Sequence, residues 1–282
     1  MNRVIINADD FGIHGEVNKA VYEGHIKGIL TSTSLLAQGA PFDEAVELAG
    51  TCPRLGVGIH LCLVGGLPPV LSPREVPTLV GRDGLLPDNY IEFISKAYTG
   101  KIDFSQVYAE LDAQIEKVSA TGLPITHLDS HQHLHVLPPV WKITTALMKK
   151  HGLHRLRLPR EAYRFKLFTA RPGRVVGRGG LTALAVKAAP DAARLRFSVT
   201  DYFWGMVDGG DMTETNLRYI LQGLPFGIHE IMMHPGASND VLGRSFSWGY
   251  HWQEELAALL SPRIRAVTEA RKLELINYGD LP

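Results

Sequence analysis

A parallel α/β barrel is the fold class the sequence predicts, and three observations predict it. Short apolar runs alternate with helical patterns about seven times along the chain, as in a parallel sheet covered by helices. The 282 residues are enough for a closed or nearly closed barrel. Acids and histidines fall at the C-terminal ends of the strand-like runs, where the chemistry of such barrels gathers. No linker or internal repeat divides the chain, so residues 1–282 are expected to form one domain.

RVIINA (3–8) reads as the first strand and GEVNKAVYEGHIKG (15–28) as a helix closed by Gly28. ILTSTSLLA (29–37) is a strand, and PFDEAVELAG (41–50) a helix with Pro41 near its first turn. LGVGIHLCLV (55–64) is a third strand. Residues 65–103, rich in Gly and Pro, read as a long connection. In FSQVYAELDAQIEKVSATG (104–122), Val107, Leu111, Ile115 and Val118 share one stripe of an amphipathic helix. ITHLD (125–129) is a strand, Pro138 and Pro139 open a helix that Gly152 ends, and HRLRL (154–158) is another strand. Residues 164–197 are basic and irregular, the pattern of an insertion. FSVTDYFWGM (197–206) returns to strand character, and Thr213 caps the helix TETNLRYILQGL. The strand GIHEIMMHP (227–235), a helical stretch from about Trp252 to Lys272 broken near Pro262, and a last strand LELINYG (273–279) complete the order.

Composition excludes several classes. A formal charge of zero leaves no nucleic-acid footprint. No apolar run reaches membrane-spanning length. Met1-Asn2-Arg3 leads straight into a strand-like run, so no targeting signal is expected. Cys52 and Cys62 are not spaced like a metal knuckle; two buried thiols in a reducing, cytoplasmic setting are expected.

Asp9 and Asp10 end the first strand with no Lys or Arg beside them. Two carboxylates this close require a nearby positive charge. His60 ends the third strand, THLDSHQHLH (126–135) places His127, Asp129, His131, His133 and His135 at the end of the fourth, and His234 ends a late one. A barrel would bring these ends together, so the cation is read as a divalent metal. Aspartate with two or three imidazoles suits zinc, iron, manganese or cobalt, and magnesium less naturally. Alternate residues of an extended strand share a face about 6.6 Å apart, so the fourth segment cannot bring all its members to one ion. The others support ligands or face substrate. The plainer alternative for Asp10 is an N-cap for the segment near Gly12. His127 is the member read as structural, and His14, His25, His151, His154 and His251 are assigned no role.

NADDFG, GILTSTSLL, GVGIHLCL, THLDSHQHLH and MMHPG together resemble the YdjC-like carbohydrate deacetylases, a group that includes chitooligosaccharide deacetylases and deacetylases associated with hopanoid glycolipids. The resemblance runs from about residue 3 to 136, resumes at 228–237, and is loose over about 160–225. It implies an irregular (β/α) TIM-like barrel, a metal held by Asp10, His60 and His131, Asp9 as general base, and magnesium as the usual ion. Such a site would remove an N-acetyl group from an N-acetylglucosamine-containing carbohydrate, oligosaccharide or glycolipid. The near-neutral pKa of imidazole suits His234 to protonating the departing amine. Arg157 is a candidate for oxyanion stabilisation, with a plain ion pair as the alternative. His133, His135, Asp129 and Trp204 are further candidates for contacting substrate or supporting the site. Tyr202, Phe203 and Trp204 form one aromatic group, and Trp248, Tyr250 and Trp252 another; either could stack a sugar. The basic segment reads as a solvated insertion, a flap over substrate, or a surface resting on a membrane. Another metal hydrolase, such as a phosphoesterase, and a non-catalytic sugar-binding protein are the alternatives. Dimers are common among enzymes of this size, which leaves a homodimer open, although no interface signature is present.

Overall fold

The first apolar run forms β1 (Arg3–Phe11), buried at every residue after Arg3. Burial on both faces is what a central strand of a helix-covered parallel sheet requires. The computed structural model describes residues 1–161 and 172–282, and in the second stretch the side chains from 179 onward. Along these residues run β2 (Ser32–Leu35), β3 (Gly56–Leu61), β4 (Ile125–Ser130), β5 (Tyr202–Trp204), β6 (Ile228–Met233) and β7 (Glu274–Leu275). All pair in parallel in the order β4-β3-β2-β1-β6-β5, with β7 beside the start of β1. The sheet curls into a half-barrel with helices around it, and single bridges extend the curl from β4 to β5: Leu128 to Leu156, Arg155 to Ser198, and Glu161 to Phe203. HRLRL thus occupies a strand position with bridges in place of a ladder. Pro159 follows it directly and has no N–H to extend one.

The helices are α1 (Gly15–Ile26), α2 (Phe42–Gly50), α3 (Tyr90–Tyr98), α4 (Phe104–Ser119), α5 (Pro138–Lys150), α6 (Pro172–Arg194), α7 (Glu214–Gln222), α8 (Asn239–Ser245), α9 (Trp252–Leu260) and α10 (Pro262–Ala270). The stripe on α4 is buried as its spacing predicts. Thr213 caps α7 by accepting from Asn216 N. The break near Pro262 is the joint between α9 and α10, where the Ser261 side chain accepts from Arg263 N and Ile264 N. Asp10 does not cap α1; His14 does, its Nδ1 accepting from Glu16 N at 3.0 Å.

Three helices depart from the sequence reading. The connection 65–103 contains α3, whose N-cap Asn89 accepts from Ile91 N and Glu92 N. α8 follows the N-cap Ser238. The basic segment 164–197 is helical from Pro172, and its residues 164–171 lie outside the described residues. α6 escaped notice because it contains glycines and Pro190 and has no apolar stripe. Its described part buries Ala185, Ala188 and Ala192, and Asp191 accepts from Trp141 Nε1 at 2.8 Å.

Both cysteines are free and buried. Cys62, just past β3, donates its S–H to Val64 O at 2.8 Å, and burial pushes its thiol up to about 12. Among the described residues no helix is long and apolar enough to cross a membrane.

Leu111 is fully buried in the core, so Leu111→Ala is expected to lower the unfolding free energy by about 2–5 kcal/mol. Urea denaturation of the two proteins measures this.

Candidate active site

Neighbouring residues on a strand point to opposite faces, yet the carboxylates of Asp9 and Asp10 turn to one place. β1 is irregular there: its register against β2 shifts between Ala8 and Phe11, and Asp10 has φ +65°. Both carboxylates therefore approach His60, at 3.9 Å from Asp9 Oδ2 and 3.4 Å from Asp10 Oδ1.

Asp10 Oδ1 also lies 2.8 Å from His131 Nδ1. One donor atom from each of Asp10, His60 and His131 falls within 4.8 Å of the others, all three residues being buried. Asp9, His60 and Asp129 form a second such grouping, but there the carboxylates are already held by Arg157. The first set fits a metal. His60 Nε2 and His131 Nε2 are buried with no hydrogen-bond partner, a costly state unless something binds them. The field also demands positive charge. Burial alone would raise the Asp10 pKa, but His131 and His60 outweigh it and hold the carboxyl well below its usual range. Burial opposes a proton on His60, yet Asp129 and Asp9 push it up to about 10. Asp129 Oδ1 pairs with His60 Nδ1 at 2.7 Å, leaving Nε2 free for an ion.

The cation that answers Asp9 is a residue rather than a metal. Arg157 is fully buried and clasps Asp9 through Nη1 and Nη2, at 2.7 Å each. The same guanidinium reaches Asp129 Oδ2 at 2.8 Å and Glu230 Oε1 at 2.7 Å. Its donors are thus committed to three carboxylates, and it does not line the cavity. Glu230 accepts in turn from the Tyr278 hydroxyl, and burial pushes its carboxyl up to about 7 despite Arg157. Neither Glu230 nor Tyr278 was singled out in the sequence. The available signal was a lone acid inside the apolar run GIHEIMM, because a buried carboxylate needs a partner.

The expectation that 127–135 stays extended fails at Ser130. His131–Val136 is a 3-10 turn in which Gln132 and His133 have φ +53° and +56°. This turn separates the histidines. His131 faces Asp10, while His133 lines the cavity edge-on to Phe203 at 5.5 Å. His135 is buried between Ser130 Oγ at 2.6 Å and Arg157 O at 3.0 Å. His127 stacks on Tyr278 at 3.8 Å, as a structural residue would.

A cavity of about 320 Å³ opens beside Asp9, His131, His133 and His234, with Trp248 and Tyr250 in its wall. Trp248 lies 5.5 Å from the His131 ring and Tyr250 4.9 Å from His234. His234 is anchored by its backbone N–H, which donates to Glu255, and burial lowers its pKa. Trp204 does not join this site; it is buried and donates to His229 Nδ1 at 3.2 Å. Of the two aromatic groups, Trp248 and Tyr250 reach the cavity.

A family profile described as YdjC-like protein matches residues 3–270. The chain belongs to the YdjC-like family. A carbohydrate deacetylase of Geobacillus stearothermophilus is 31% identical over 277 residues, covering 98% of this chain and 96% of its own. One of Clostridium beijerinckii is 29% identical over 281 residues, covering 99% and 100%. Among solved structures, a protein of Enterococcus faecalis named for cellobiose-phosphate cleavage superposes with TM-score 0.77 at 27% identity, covering 99% of this chain and 98% of that one. The match extends through 160–225, where the sequence resemblance was loose.

Arg157→Met strands three buried carboxylates and is expected to cost about 3–5 kcal/mol of stability. Guanidinium chloride unfolding, or failure to recover folded protein, reports it.

Proposed function

We propose that this YdjC-like protein is a divalent-metal-dependent N-deacetylase acting on an N-acetylglucosamine-containing carbohydrate or glycolipid. In this reading Asp10, His60 and His131 hold the metal, Asp9 is the general base and His234 the general acid. The observation that carries it is the convergence of Asp10, His60 and His131 beside a separate carboxylate, Asp9, in a cavity wall, in a chain whose relatives are named carbohydrate deacetylases.

A dication bound there supplies polarisation of the amide carbonyl and acidification of a water. One carboxylate and two imidazoles favour zinc, iron, manganese or cobalt over magnesium. Asp9, gripped on both oxygens by Arg157, keeps a fixed orientation and takes the proton of the attacking water. His234 gives a proton to the amine nitrogen as the C–N bond breaks. Burial of its ring lowers its pKa, which makes the protonated ring a stronger acid but a scarcer one at neutral pH. Trp248 and Tyr250, half-buried beside His131 and His234, offer apolar faces on which a pyranose ring stacks.

Acetate release from N-acetylated sugars, assayed beside phosphoesters after chelation and after adding back single metals, tests the reading. Release that stops on chelation supports it; phosphate release alone would replace it with the phosphoesterase alternative, and sugar binding with no product would indicate a non-catalytic protein. Asp10→Ala is expected to lose bound metal and turnover together. Asp9→Asn should keep the metal, measured by plasma emission, while kcat falls about 10²-fold or more. His234→Ala should lower kcat with metal content unchanged. Trp248→Ala should mainly raise KM, by about tenfold, as one lost stacking contact of ~1.4 kcal/mol implies.

A further inference from the structure

Glu230 is a buried carboxylate that the proposed chemistry does not use. It does not line the cavity, and neither does Tyr278, its second partner, which lies in the C-terminal turn Tyr278–Asp280 and packs with Ile5. Burying a charge is costly, and a well-packed apolar residue would often stabilise the core as well. Its geometry suggests what the acid does instead.

A guanidinium is a rigid planar fork, so fixing one edge fixes the direction of the other. One edge of Arg157 meets Asp9 through Nη1 and Nη2. Nε and Nη2 both lie 2.7 Å from Glu230 Oε1. The other oxygen of Glu230 accepts from the Tyr278 hydroxyl. Tyr278 is itself immobilised: its ring stacks on His127 at 3.8 Å and 10°, and its N–H donates to Ser32 Oγ at 3.2 Å. A continuous buried chain therefore runs from Tyr278 through Glu230 and Arg157 to Asp9.

We propose that Glu230 and Tyr278 are positioning residues, which clamp the outer edge of the Arg157 guanidinium and thereby aim its inner edge at Asp9. The role rests on the reading of Asp9 as the base. It predicts a loss in turnover without a loss in binding, since neither residue reaches the cavity or the metal-ligand set.

The test compares Glu230→Met, Glu230→Gln and Tyr278→Phe as full-length, metal-loaded protein. Methionine fills the space without an acceptor, glutamine keeps an acceptor oxygen for Arg157 Nε, and phenylalanine keeps the ring on His127 but removes the hydroxyl. Per folded molecule, Glu230→Met should lose about 10- to 100-fold in kcat, the scale set by a small misplacement of a catalytic group. Tyr278→Phe should lose about 3- to 10-fold, with KM within about twofold and metal content unchanged in both. Glu230→Gln should recover part of the turnover that methionine loses. Crystal structures of the variants should show the guanidinium turned relative to Asp9. Unchanged kcat in Glu230→Met and Tyr278→Phe, or a rise in KM in place of a fall in kcat, overturns the proposal. If Glu230→Met does not fold, Tyr278→Phe decides the matter alone. Absence of acetate release by the wild-type protein counts against the deacetylase reading, whereas the guanidinium orientation in the variants still tests the clamp.

Discussion

The structure depends on one buried guanidinium. Arg157 joins Asp9 of β1, Asp129 of β4 and Glu230 of β6, and it stands on the bridging segment between β4 and β5. None of these acids could be buried alone, because desolvating a carboxylate without a partner costs more than a small domain's stability margin allows. The ion cluster needs these parts of the curled sheet in register, and Arg157 in turn offsets the burial of the acids on three strands, so fold and cluster support one another.

The same cluster gives two adjacent carboxylates different partners. Asp9 is held by a permanent cation, whereas Asp10 faces imidazoles whose Nε2 atoms lack hydrogen-bond partners. Neighbours in sequence thus occupy different electrostatic surroundings, the condition under which two like groups take different tasks. The irregularity in β1 makes this division geometrically available, since a regular strand would turn one of the two away.

Strands were legible where apolar runs end in acids or imidazoles, as at Asp9, His60 and His234, because one pattern reports both burial and strand end. Helices were legible where a stripe or a cap was plain, as in α4 and at Thr213. α3 was hidden in a Gly- and Pro-rich stretch, and α6 lacks any stripe to read. The candidate site could be proposed residue by residue from the sequence, but its wiring could not. Asp129 and His135 lie within the alternating run and were named with it, yet their different contacts depend on the left-handed residues Gln132 and His133, which no alternation rule anticipates. The bond from Arg157 to Asp9 spans 148 residues and follows from closure of the sheet, not from local pattern. Trp204 and Trp248 look equivalent in sequence; packing against His229 takes the first away from the cavity, whereas the second lies beside His131 in the cavity wall.

Cys62 stands two residues beyond His60, with its thiol hydrogen-bonded to Val64 O and held in the neutral, unreactive form by burial. Alkylating reagents can reach it only when the end of β3 opens. The rate at which iodoacetamide or a disulfide dye modifies this sulfur is therefore a native clock for breathing of the strand that carries His60, readable without a fluorophore, and its slowing on adding a ligand would report how firmly that ligand closes the strand end.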